Sequence, residues 1–171
     1  GSEGAAEAAT STLRNLAAIA SNKKPILSSG AIPVLVQLLI DGTEGSKEQA
    51  AAVLIMFAVD AESRRAMVEA GAVPALIDLV IGGSEAAQEQ AAKGLHALAV
   101  DEEYDVMIVS AGAVVPLIEL LYHGSAGAQE QAARALGSLA ADESHIDLIN
   151  EAGAIPALVQ LIRVGSEGAK E

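Results

Sequence analysis

Three histidines, His96, His123 and His145, are the first residues to test for catalysis or metal binding in this chain. No two of them have the i, i+4 spacing that sets two imidazoles on one helix face. The sequence contains no cysteine. That removes thiol nucleophiles, cysteine zinc sites and a disulfide framework. Asp101, Glu103 and Asp105 imitate the first half of a calcium loop. The sixth place, however, is Val106 rather than glycine, and the twelfth is Gly112 rather than glutamate. Turns such as Gly42-Thr43-Glu44-Gly45 lack the Lys-Ser/Thr of a phosphate loop. Tyr104 and Tyr122 are too isolated to make a stacking platform for nucleic acid. No catalytic residue, metal site or cofactor is therefore expected. The histidines read as surface or half-buried structural residues, and the acidic stretch Asp101 to Asp105 as a solvated turn.

The elements that would carry any other chemistry must be helical. Of 171 residues, 36 are alanine, 51% are hydrophobic and only three are aromatic. Small residues and straight-chain polar ones favour helix. The formal charge of −13 argues against a protein that grips a phosphate backbone. The longest apolar run, Ala50 to Val59, is too short to span a bilayer. No basic stretch followed by an apolar one opens the chain, so an intracellular setting, cytoplasmic or nuclear, is expected.

Self-comparison reveals a 41-residue period. Gly30-Ala31-Ile32-Pro33, Gly71-Ala72-Val73-Pro74, Gly112-Ala113-Val114-Val115-Pro116 and Gly153-Ala154-Ile155-Pro156 begin 41 residues apart. Gly1, Gly42, Gly83, Gly124 and Gly165 keep the same step, each before Ser or Thr. Residues 42–82 and 83–123 share 19 identities in 41 ungapped positions. The charge is uneven: 0 over 1–41, −3 over 42–82, −6 over 83–123, −3 over 124–164 and −1 over 165–171.

Within a period the apolar spacing is helical. Ala51, Leu54, Phe57 and Ala58 mark the buried face of a long helix. A short helix over 64–70 stops at Gly71, which tolerates a left-handed backbone. Pro74 then falls in the opening turn of a medium helix that turns Leu76, Ile77, Leu79 and Val80 inward. Ser2, Thr43, Ser84, Ser125 and Ser166 are expected to cap the long helices. Such a unit cannot close its own core, so its apolar faces must be buried by neighbouring units in an α-solenoid.

The pattern Gly-Ala-Ile/Val-Pro-x-Leu-Ile/Val, then Gly-Ser-Glu-Gly-x-x-Glu-Gln-Ala-Ala and Leu-x-x-Leu-Ala, resembles the armadillo repeat. It is most similar to the form found in plant, algal and oomycete vacuolar-protein-8-like arrays. The resemblance implies an all-α, right-handed solenoid of three-helix repeats whose long third helices line a concave groove for extended peptides. One solenoid over 1–171 is expected: a partial repeat over 1–29, full repeats over 30–70, 71–111 and 112–152, and a truncated one over 153–171.

The family's ligand-holding asparagine position maps to Asn15, Met56, Ala97 and Ser138, and only Asn15 matches. Its tryptophan position maps to Ser11, Ala52, Lys93 and Arg134. One turn earlier stand Ala8, Gln49, Gln90 and Gln131. The expected groove thus presents Gln49, Gln90, Gln131, Lys93 and Arg134 among small residues, and suits acidic, polar or phosphorylated segments.

The function expected is a non-catalytic protein-interaction scaffold. The alternative rests on the ends, where Gly1 to Glu7 and Gly165 to Glu171 differ at one place and no polar cap shows. Leu158, Val159, Leu161 and Ile162 would lack a covering helix. A piece of a longer array, an engineered piece, or a structural unit associating head to tail without a dedicated ligand would each have such ends.

Overall fold

A computed structural model of the chain describes residues 3–168. Twelve helices and no strand are found among these residues, in a recurring order of long, short and medium. The long helices are α1 (Glu3–Ala17), α4 (Glu44–Phe57), α7 (Glu85–Leu98) and α10 (Ala126–Leu139). The short ones are α2 (Ala20–Ser28), α5 (Ala61–Glu69), α8 (Glu102–Ser110) and α11 (Glu143–Glu151). The medium ones are α3 (Ala31–Asp41), α6 (Ala72–Gly82), α9 (Val114–His123) and α12 (Ala154–Gly168). The architecture is an α-solenoid, as the 41-residue period demanded.

Each boundary has a local cause. Thr43, Ser84 and Ser125 have extended backbone, and their hydroxyls accept the N–H of Ser46, Ala87 and Ala128. One orphan donor of each long helix is thereby satisfied. Ser2 and the side chain of Ser166 lie outside the described residues. Gly30, Gly71, Gly112 and Gly153 adopt φ between 77° and 93° just after each short helix. The chain turns there through a conformation that a side chain disfavours.

Four of the five prolines, Pro33, Pro74, Pro116 and Pro156, occupy the third residue of a medium helix, still within the first turn, where the N–H has no helical acceptor to lose. In the third copy Pro116 comes one residue later, and the structure absorbs this by starting α9 one residue later, at Val114. The Ala113 N–H reaches back to the Ile108 carbonyl at 3.2 Å.

Three expected boundaries shift. α5 begins at Ala61 rather than at 64, because Asp60 caps it by accepting the Ser63 N–H. The acidic stretch is no turn: Asp101 is the N-cap residue of α8, and Glu102, Glu103 and Asp105 fill its first turn. Carboxylates are favoured there by the helix dipole. Lastly, α12 does not stop at Gly165 but runs to Gly168, so Ser166 lies inside a helix rather than capping one. Gly42, Gly83 and Gly124 end their helices where the chain turns into a packed long helix, and none follows α12 among the described residues.

The core is one continuous body along the array. Ala51, Leu54, Phe57 and Ala58 are buried, as are Leu76, Ile77, Leu79 and Val80. Alanines 50, 51, 87, 91, 92, 128, 132 and 135 are wholly inaccessible on the long helices, where their small size lets helices approach closely. α1 packs on α4, α4 on α7 and α7 on α10, forming one layer of long helices. At the far end, the period's apolar face is uncovered. Ile162 is 69% exposed where its counterpart Val80 is 2% exposed. Among the described residues no single helix is long and apolar enough to cross a membrane.

Alanine substitution should act with opposite sign at two glycines. Neither Gly71 nor Gly137 has an atom within 4 Å of an added Cβ, so only backbone conformation counts. Gly71→Ala, at φ +88°, is expected to lose about 1–2 kcal/mol. Gly137→Ala, inside α10, should gain about 0.5–1 kcal/mol. Urea unfolding followed by circular dichroism measures both.

Candidate functional site

The surface of the long-helix layer is where the sequence places a groove, and the packing order of α1, α4, α7 and α10 brings its residues into register. Gln49, Gln90 and Gln131 stand one period apart on α4, α7 and α10, and all three are half-buried. The Gln49 Oε1 is enclosed and has no hydrogen-bond donor. Asn15 is exposed on α1. Met56, Ala97 and Ser138 are half-buried at the corresponding places on the next three long helices.

The two cations differ. Lys93 is exposed and makes no ion pair among the described residues. Arg134 is paired with Glu130 one turn before it, at 2.7 Å from Nη2 and 3.1 Å from Nε. Glu130 was missed from the sequence, although its i, i+4 spacing to Arg134 is legible there. An exposed pair of this kind holds loosely, so Arg134 is partly neutralised in place rather than removed from the surface.

The histidines sort as different structural residues. His123 is exposed at the end of α9, with Nε2 3.8 Å from Glu119. His145 is buried, with Nδ1 3.1 Å from the Leu139 carbonyl. His96 is half-buried on α7, and its Nδ1 lies 2.9 Å from Ser138 Oγ on α10. This bond ties two adjacent periods at the surface of the long-helix layer.

A serine and a histidine at hydrogen-bond distance are the first two members of a hydrolytic triad, and the third member decides the matter. A triad needs a carboxylate to stabilise the imidazolium. The charged neighbour of His96 is Arg134, which opposes it. Burial first, and Arg134 second, lower the His96 pKa from its ordinary value of 6.5. The pair is built to stay neutral and to bridge helices.

Away from the long-helix layer, Arg64 on α5 reaches across to Asp101 at the start of α8. Its Nε donates to Oδ2 at 2.6 Å and its Nη2 to Oδ1 at 3.1 Å, while Nη1 donates to the Ala58 carbonyl at 2.9 Å. The Asp101 hydrogen bond chiefly, with the carboxylate's charge, raises the Arg64 pKa against some loss from burial. This bidentate contact bridges two periods and had no signal in local spacing.

The fold and this layer of long helices define an armadillo-type solenoid. Residues 60–99 and 101–141 match the family described as Armadillo/beta-catenin-like repeat. Among solved structures, the chain is similar to computationally designed armadillo repeat proteins for modular peptide recognition. There the TM-score is 0.86 at 29% identity, covering 93% of this chain and 68% of that one. An engineered protein from a structural genomics consortium superposes with TM-score 0.83 at 31% identity, over 90% of this chain and 65% of that one. A designed armadillo repeat protein in complex with the peptide (KR)4 gives TM-score 0.80 at 26% identity, over 92% of this chain and 66% of that one. The chain thus spans about 65% of the length of such structures. No curated protein matches it.

The lowered His96 pKa sets a sign for pH dependence. The fold favours the neutral imidazole, so the unfolded chain takes up its proton first as pH falls. The stabilisation is complete above 6.5 and declines as pH drops through the lower folded value. Urea unfolding from about pH 7 to 5 is expected to show a steeper loss for the native chain than for His96→Gln. Equal slopes would remove His96 from the account.

Proposed function

We propose that the chain is a non-catalytic protein-interaction scaffold that receives an extended peptide across α4, α7 and α10. The observation that carries this reading is the row Gln49, Gln90 and Gln131, half-buried at a fixed period on adjacent helices. A peptide backbone offers N–H and C=O groups at regular intervals, and a carboxamide answers either. Likeness to solved armadillo proteins designed for modular peptide recognition, or in complex with the peptide (KR)4, supports a peptide ligand. Fold alone does not fix function, so the ligand must be argued from the residues present.

Those residues favour an acidic or phosphorylated segment. Lys93 stands exposed and unpaired among the described residues, and Arg134, one period on, can exchange Glu130 for a ligand carboxylate or phosphate. A ladder of asparagines is absent: Met56, Ala97 and Ser138 follow Asn15, and Ser138 is already engaged by His96. Backbone clamping therefore falls to the glutamines and not to the family's asparagine row. An intracellular setting, cytoplasmic or nuclear, belongs to the same proposal.

A second reading is head-to-tail self-association of a structural or engineered repeat unit without a dedicated ligand. The observation behind it is the uncovered apolar face of α12, with Val159 and Ile162 exposed, and an apolar hollow between α1 and α3 lined by Leu13, Val34 and Leu38. Light scattering against concentration tests it, since a monomer at all concentrations would end that reading.

Fluorescence anisotropy with labelled acidic, phosphorylated, neutral and basic peptides tests the first. Acidic or phosphorylated peptides are expected to bind with salt-sensitive affinity. Lys93→Glu combined with Arg134→Glu should weaken them about tenfold or more. Binding unchanged by the double reversal would overturn the anionic ligand.

A further inference from the structure

The fourth residue of each short helix has one place in the repeat, occupied successively by Lys23, Arg64, Asp105 and Ile146. In the first two copies it is a cation with an assigned partner. Lys23 Nζ donates to the Met56 carbonyl at 3.0 Å, and Arg64 grips Asp101. In the third copy the cation is replaced by a carboxylate, while the aspartate it should meet is kept: Asp142 is the counterpart of Asp101, 41 residues on. Two acids face each other where a guanidinium and an acid belong.

Asp105 is the more enclosed of the two. It is 4% exposed, and its Oδ1 is enclosed without any hydrogen-bond donor. An unpaired buried carboxylate is among the least tolerable groups in a protein interior. One ligand atom each from Asp105, Asp142 and His145 lies within 4.8 Å of the others. His145 supplies the third candidate ligand atom. Its Nδ1 faces the Leu139 carbonyl, which can only accept, so in the neutral ring Nδ1 is the donor and Nε2 is the nitrogen open to a metal. Asp142 is oriented by the Ser144 N–H, which donates to Oδ1 at 2.8 Å. Glu102 and Glu143 line the same open hollow as Asp105 and Asp142, giving a cation an acidic approach.

We propose that Asp105, Asp142 and His145 bind a divalent transition-metal ion, with Zn2+ the first choice, in the place that the Arg64 guanidinium takes one period earlier. Two carboxylates and one imidazole are hard and borderline donors suited to Zn2+, with room for solvent to complete the coordination. The sequence had grouped Asp105 with Asp101 and Glu103 in a failed calcium loop. The fold separates them, giving Asp101 to Arg64 and Asp105 to residues of the next period. The ion would pin α8 to α11 as Arg64 pins α5 to α8.

The test uses the full chain after chelator treatment. Calorimetric titration with ZnCl2 is expected to show one ion bound per chain and a higher Tm, and CoCl2 should give visible absorption bands. Asp105→Asn, nearly isosteric, should weaken Zn2+ binding about tenfold or more. Asp105→Arg restores the repeat's cation, so it should abolish metal binding and raise the Tm of the metal-free chain. His123→Ala should behave as the native chain. The absence of stoichiometric binding overturns the proposal. So does binding that survives both Asp105 substitutions, because the ion would then sit on the exposed carboxylates.

Discussion

Everything in this molecule depends on the inability of one three-helix unit to bury its own apolar face. Each medium helix offers four large side chains per copy, such as Leu76, Ile77, Leu79 and Val80, and they become inaccessible only when the next long helix lies over them. The alanines of the long helices make that contact close. Gly94 shows how close: an added Cβ there would lie 3.1 Å from the Leu76 side chain. The same rule explains the face that is left open. α12 repeats the apolar pattern of α6, and Ile162 is exposed where Val80 is not, because no long helix packs over it among the described residues.

A translational repeat makes identical backbone places and then varies the side chain at each. Some interior places are kept, as Leu54, Leu95 and Leu136 are, and others change volume together with their neighbours, as Val53, Gly94 and Ala135 do. The polar places vary as well, both exposed and buried, and the chemistry of the molecule lies in that variation. Along one line of the long helices, Met56, Ala97 and Ser138 follow Asn15, and the serine is drawn to His96. Along one line of the short helices, Lys23, Arg64 and Asp105 turn a carbonyl contact into a bidentate ion pair and then into facing acids. The net charge of −13 is therefore a poor guide to either place. It gathers in the third copy, where part of it is buried.

The period, the helix order, the glycine stops, the caps at Thr43, Ser84 and Ser125 and the inward residues Leu76, Ile77, Leu79 and Val80 were legible, because each is a local rule repeated in phase. The groove positions were legible as places on helices, since a 41-residue step maps one copy onto the next. Their state was less so. The Glu130–Arg134 pair follows from i, i+4 spacing, but the His96–Ser138 bond joins residues 42 apart on different helices. Arg64 with Asp101, and Asp105 with Asp142 and His145, are likewise contacts between copies.

By itself, then, the sequence determined the repeating unit, its helices, its apolar face and the need for a neighbour. These follow from propensity, capping and periodicity, which act over a few residues. Only the tertiary structure decided which polar groups meet, and so whether a charge is free, paired or stranded. The pitch and tilt of stacked helices set those distances, and a displacement of an ångström or two separates a hydrogen bond from none. The turn that seemed solvated became the first turn of a helix, and its last carboxylate became buried, for that reason.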